Sequence, residues 1–80
     1  MKLIRVKIFN TYTNGNKLYI INPQRKTGNV KIFNLAGQEI TTFRLTGDNT
    51  QQQTLNVNDI INVVQIQTDN EIISNKVIFK

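Results

Sequence analysis

Eighty residues form one domain with a thin core; a chain of this size buries only about 60–65% of the surface its unfolded form exposes, which leaves little room for an enclosed active site. There is no Cys and no His, so disulfides, thiolate chemistry and the usual neutral-pH general base are excluded, while either a cytosolic or an exported setting stays open. Ten Lys and Arg stand against five Asp and Glu, a formal net charge of +5.

Lys2 to Asn10 alternates, with Ile4, Val6 and Ile8 on one face, and reads as a first strand. Thr13-Asn14-Gly15-Asn16 follows as a tight hairpin turn, since Asn-Gly tolerates the positive φ of a type I′ turn. Lys17 to Ile21 is a second strand. Asn22 to Gly28 is a loop, because Pro23 cannot donate to a central ladder. Asn29 to Asn34 is a third strand, Leu35-Ala36-Gly37 turns the chain, and Gln38 to about Leu45 returns it. Ile40 and Phe43 fall on opposite faces of a regular strand, which predicts a bulge or face switch near Thr41-Thr42.

Beyond the polar loop Thr46 to Thr50, strands are read at Gln52 to Val57, Ile60 to Thr68 and Glu71 to Lys80, the last two joined by a tight turn at Asp69-Asn70. Ile, Val, Phe, Tyr and Thr fit a pleated surface, and Ala occurs once, so helix is disfavoured throughout. About seven short antiparallel strands at this spacing predict an all-β, two-sheet, immunoglobulin-like sandwich, with a partly open barrel as the other solution. Val-Lys-Ile-Phe-Asn occurs at 6–10 and again at 30–34, but the flanking residues do not recur and no repeat architecture follows.

The chemistry-bearing residues are sparse. Glu39, Asp48, Asp59, Asp69 and Glu71 sit in or beside turns, and the single serine, Ser74, has no base to activate it. No catalytic, cofactor or metal site is expected; Asp48 alone supplies too little charge for calcium. The cations are scattered, with only Arg25-Lys26 adjacent, so solvated strand faces are expected in place of a nucleic-acid footprint. No run approaches the roughly 20 apolar residues of a membrane helix, and Arg5 and Lys7 interrupt any signal-peptide core at the start. An export signal would lie upstream, in a longer parent protein. Each Phe is expected in the core or half-buried, and Tyr12 is the one ring expected to be exposed. It is the glycan contact of an alternative reading, a carbohydrate-binding accessory module of a secreted hydrolase.

Four stretches carry a more specific pattern. Gly15-Asn16-Lys17-Leu18-Tyr19-Ile20 is one. Gly28-Asn29-Val30-Lys31-Ile32-Phe33-Asn34-Leu35-Ala36-Gly37-Gln38-Glu39-Ile40 is another, with its Asn34, Gly37 and Gln38 turn. Val63 to Thr68 and Ser74 to Lys80 complete it as two closing strands. In order and spacing these resemble the C-terminal sorting domain of the type IX (Por) secretion system of Bacteroidota, over nearly the whole chain. The chain departs from that family where Ile60-Ile61-Asn62 replaces the usual Gly-x-Tyr before the penultimate strand.

The resemblance implies a non-catalytic address label at the end of a larger exported cargo, such as a protease, glycosidase or adhesin. The outer-membrane secretion machinery reads it, and it travels through the periplasm to the cell surface or medium. The implied recognition segment is Lys76, Val77, Ile78, Phe79 and Lys80, with docking of the 60–80 hairpin by strand addition to its edge. The same free edge implies a monomer or a weak edge-strand dimer.

Overall fold

The computed structural model describes residues 9–69 and 71–79. Among the described residues seven strands run in chain order: β1 (Asn10–Asn14), β2 (Lys17–Ile21), β3 (Thr27–Phe33), β4 (Glu39–Thr46), β5 (Thr50–Thr54), β6 (Ile61–Gln67) and β7 (Ile72–Ile78). All pairings are antiparallel, in a three-stranded sheet β1-β2-β5 and a four-stranded sheet β4-β3-β6-β7. Chain neighbours β2 and β3 lie in different sheets, as do β4 and β5, and β5 and β6. These three crossings make the two-sheet sandwich predicted from the turn spacing, with immunoglobulin-like strand order.

Alternation explains the core. Leu18 and Ile20 of β2 face Val30 and Ile32 of β3, Leu45 of β4, Val64 and Ile66 of β6, and Val77 of β7, all buried. Phe9, Leu55 and Phe79 close the ends, and Ile40, Phe43, Val57 and Ile73 pack around the rim. Every Phe is therefore buried or half-buried, as its strand position requires.

The first hairpin differs from expectation. β1 covers Asn10–Asn14, so Thr13 and Asn14 belong to the strand and the turn is Gly15-Asn16, between the paired Asn14 and Lys17. Gly15 takes φ +62° while Asn16 keeps an ordinary backbone. That is the pattern of a type II′ turn with Gly in its first central position, where type I′ was expected. Most of the strand predicted over Lys2 to Asn10 lies outside the described residues, as do Asn70 of the last turn and Lys80.

The bulge sits just before Thr41-Thr42. Ile32 pairs with Thr41 and Phe33 with Glu39, which leaves Ile40 as the extra residue on β4. The insertion switches the face of the strand's start, so Ile40 and Phe43 both reach the core. β5 begins two residues earlier than expected, at Thr50, and Leu55 and Val57 pack on the core from the segment beyond it.

Candidate functional site

The recognition segment read from the sequence falls on β7, and the ladder decides what that strand offers. Phe79 N–H donates to Ile60 C=O at 2.7 Å and Thr68 N–H to Glu71 C=O at 2.9 Å. Together with the β6–β7 register, these bonds make 62–77, 64–75 and 66–73 the hydrogen-bonded pairs. The backbone groups of Ile73, Asn75 and Val77 are thus turned toward β6. Those of Ile72, Ser74, Lys76 and Ile78 point to the other side, which is an edge of the four-stranded sheet among the described residues.

The same alternation splits the side chains. Ile73, Asn75 and Val77 lie on the core face, while Ile72, Ser74, Lys76 and Ile78 stand on the outer face. Ile72 is 63% and Ile78 53% exposed, high for large aliphatics. Of the segment Lys76 to Lys80, the structure thus buries Val77 and Phe79 and presents Lys76 and Ile78; Lys80 lies outside the described residues. At the far end of β7 the Thr13 hydroxyl donates to Ile78 C=O, which brings the edge strands β1 and β7 of the two sheets together. At its near end Lys26 Nζ meets Glu71 Oε1 at 2.6 Å and ties the β2–β3 loop to the start of the hairpin.

The motif turn is built by its own side chains. Asn34 N–H donates to Gln38 C=O, and Gly37 N–H donates to Asn34 C=O, both at 3.0 Å. Asn34 Oδ1 accepts Gln38 N–H and Asn34 Nδ2 donates to Gln38 Oε1, both at 2.9 Å. Gly37 takes φ +85°, so Leu35-Ala36-Gly37 is a three-residue hairpin loop whose last residue is left-handed. Asn34, Gly37 and Gln38 come together as a turn, on the end of the sandwich where β7 finishes.

Beside that turn, a groove of about 560 Å³ runs to the loop before β6, with exposed Leu35 and Ile60, together with Ile61 and Asp59, in its walls. The atypical Ile60-Ile61-Asn62 stretch therefore forms a wall of the groove and, through Asn62, part of the core. Asn62 is fully buried; its Nδ2 donates to Asp59 C=O at 2.8 Å and its Oδ1 has no partner among the described residues. A sequence reading finds the turn but not this groove, because the β5–β6 loop and the β3–β4 turn are distant in the chain.

Tyr12 lies on the outer face of the three-stranded sheet, 48% exposed, as expected. It pairs directly with Tyr19, and the rings stack at 4.8 Å between centroids with planes 1° apart. Each ring spends one face on the other, so at most one face of each ring and the ring edges are left to a sugar. Tested against protein-family models, curated proteins and solved structures, the chain matches none of them.

Proposed function

We propose that this chain is a folded, non-catalytic sorting domain of the type IX secretion kind, read through its β6–β7 hairpin by the outer-membrane export machinery. The observation that carries the mode of reading is the edge of β7. Backbone donors and acceptors on alternate residues face outward there, flanked by the exposed Ile72 and Ile78. An extended receptor segment adding to this edge would gain main-chain hydrogen bonds, with Lys76 and Ile78 supplying side-chain specificity. The likeness of Val30 to Ile40 and Val63 to Lys80 to the sorting family supports the biological role. On this reading the upstream cargo travels to the periplasm on its own export signal, then to the surface or medium with this domain as its address.

The test is a fusion of residues 1–80 behind a reporter with an N-terminal export signal, expressed in a bacterium with a type IX system. Export of the reporter is the expected result. Ile60→Gly with Asn62→Tyr, which restores the family's usual motif, should raise it. Retention of the wild-type fusion in the periplasm, while a typical family domain exports the same reporter, would overturn the assignment.

One observation favours a second reading, glycan binding. The outer face of the three-stranded sheet aligns Tyr12, Tyr19 and Gln52 in one row, between the rows Asn10-Ile21-Thr50 and Asn14-Lys17-Thr54. Aromatic rings among amides and hydroxyls, with Lys17 the one charge in these rows, suit a polysaccharide that is not cationic. Saturable binding in a polysaccharide titration, abolished by Tyr12→Ala, would establish this reading; its absence removes it.

A further inference from the structure

The edge of β7, which no other strand pairs among the described residues, is self-complementary. Its sequence, Ile72-Ile73-Ser74-Asn75-Lys76-Val77-Ile78, places two apolar residues on each side of three polar ones, symmetric about Asn75. Two such strands laid antiparallel about a two-fold axis at Asn75 bring Ile72 opposite Ile78 of the second copy and Ser74 opposite its Lys76. On the core face, Ile73 comes opposite Val77 and Asn75 opposite Asn75.

The hydrogen-bond phase agrees with this register. Ile72, Ser74, Lys76 and Ile78 turn their backbone groups to the open edge. They are the residues that would form the hydrogen-bonded pairs, and Asn75 falls at a non-hydrogen-bonded pair on the axis. The Thr13 hydroxyl already donates to Ile78 C=O, but a carbonyl oxygen has two lone pairs and can accept the N–H of Ile72 as well.

We infer that β7 is a homodimerisation edge, joining two four-stranded sheets into one eight-stranded sheet through the 72–78 register centred on Asn75. The exposed Ile72 and Ile78, unexplained in a lone domain, then cover one another twice over. An isologous two-fold contact of this kind closes on itself, whereas a heterologous contact between the β7 edge and the β4 edge of another copy would propagate. One seven-residue edge buries less than a stable dimer interface needs, so the dimer is weak, with Kd on the order of 100 μM or above. The two Lys76 side chains lie on a diagonal across the axis and repel, so added salt tightens the dimer. The inference does not depend on the sorting assignment. If both hold, dimerisation hides the edge until the receptor competes for it.

The chain has no Cys, so one introduced thiol reports one contact. A non-hydrogen-bonded antiparallel pair sets its Cα atoms about 4.5 Å apart, within disulfide reach. Asn75→Cys in the full 80-residue chain should form a disulfide-linked dimer under mild oxidation, at least tenfold faster than Asp48→Cys on an exposed loop. Ile72→Lys, an outward position that leaves the fold intact, should abolish that cross-link. It should also remove the concentration-dependent increase in mass seen by sedimentation at millimolar protein. A wild-type chain that stays monomeric at millimolar concentration, or an Asn75→Cys cross-link no faster than that of Asp48→Cys, would overturn the proposal. So would a dimer that survives Ile72→Lys, which would place the contact elsewhere, such as the Leu35–Ile60 groove.

Discussion

Asn22 is the side chain on which the β2–β3 crossover closes. Fully buried, it accepts Lys26 N–H on Oδ1 at 3.0 Å and donates from Nδ2 to Lys26 C=O at 2.8 Å. Its backbone N–H donates to Asn49 C=O at 2.7 Å. Arg25, at φ +51°, is held in the left-handed region between these bonds. Asn22→Ala leaves both Lys26 groups without partners in a half-buried loop. It should cost about 2–3 kcal/mol and lower the melting temperature by roughly 10–20 °C, read by thermal denaturation. Asn62 predicts the opposite outcome. Its Oδ1 is buried and has no partner among the described residues, and its Nδ2 makes one bond, to Asp59 C=O. Asn62→Leu replaces an unsatisfied amide with an apolar group of similar size, so stability should be unchanged or higher; a loss above about 1 kcal/mol in the same assay would contradict this. The sequence separates these asparagines poorly. Asn34 was legible because its partners, Gly37 and Gln38, are local. Asn22 reads only as the residue before Pro23, and Asn62 as one more polar residue in an apolar strand, because what distinguishes them comes from other elements.

Among elements, the β3–β6 pair at the centre of the four-stranded sheet sets the tightest constraint. Gly28 comes so close to β6 that a Cβ there would lie 2.0 Å from the carbonyl oxygen of Gln67 and 3.1 Å from Thr68 Cα. Both are backbone atoms and cannot swing aside. Gly28→Ala should therefore force the Asn29–Gln67 end of the ladder apart and cost more than about 2 kcal/mol, seen as a lower denaturant midpoint. An alanine chain with wild-type stability would show that the strands yield more easily than their geometry implies. The sequence marks Gly28 as the end of a loop, and its packing role has no local signature. The bulge was legible, because Ile40 and Phe43 could not both reach a core without one. The extent of β1 was not: Thr13 and Asn14 read as part of the turn, and only the pairing of Asn14 with Lys17 assigns them to the ladder. Local propensity decides that a strand forms, whereas its partner's register decides where it stops.

Across the whole molecule β7 and the residue after it have two duties on alternate residues: Val77 and Phe79 complete the core, while Ser74, Lys76 and Ile78 turn their backbone groups away from β6. Of those groups only the Ile78 C=O is bonded among the described residues, to the Thr13 hydroxyl. Cutting the chain before Asn75 therefore cannot separate recognition from folding, because it removes two core residues along with the edge. Proline can separate them, since it deletes one N–H and leaves the rest of the strand. At Lys76 the deleted N–H points to the open edge, where proline is tolerated in sheets; at Val77 it is a ladder bond to Asn62 of β6. Lys76→Pro should thus melt within about 1.5 kcal/mol of wild type and keep a β-rich circular dichroism spectrum, whereas Val77→Pro should lose about 3 kcal/mol or more. With the fold retained, Lys76→Pro removes a donor from the edge and puts a ring in the path of any added strand. It should then abolish both export of the fused reporter and the Asn75→Cys cross-link. Lys76→Gln, which keeps the N–H and removes only the charge, should strengthen the cross-link by relieving the diagonal repulsion across the two-fold. If Lys76→Pro folds and still exports its reporter at wild-type level, the receptor reads side chains on the outer face and strand addition is not the mode. If Val77→Pro proves as stable as Lys76→Pro, the ladder phase assigned to β7 is wrong and the dimer register falls with it.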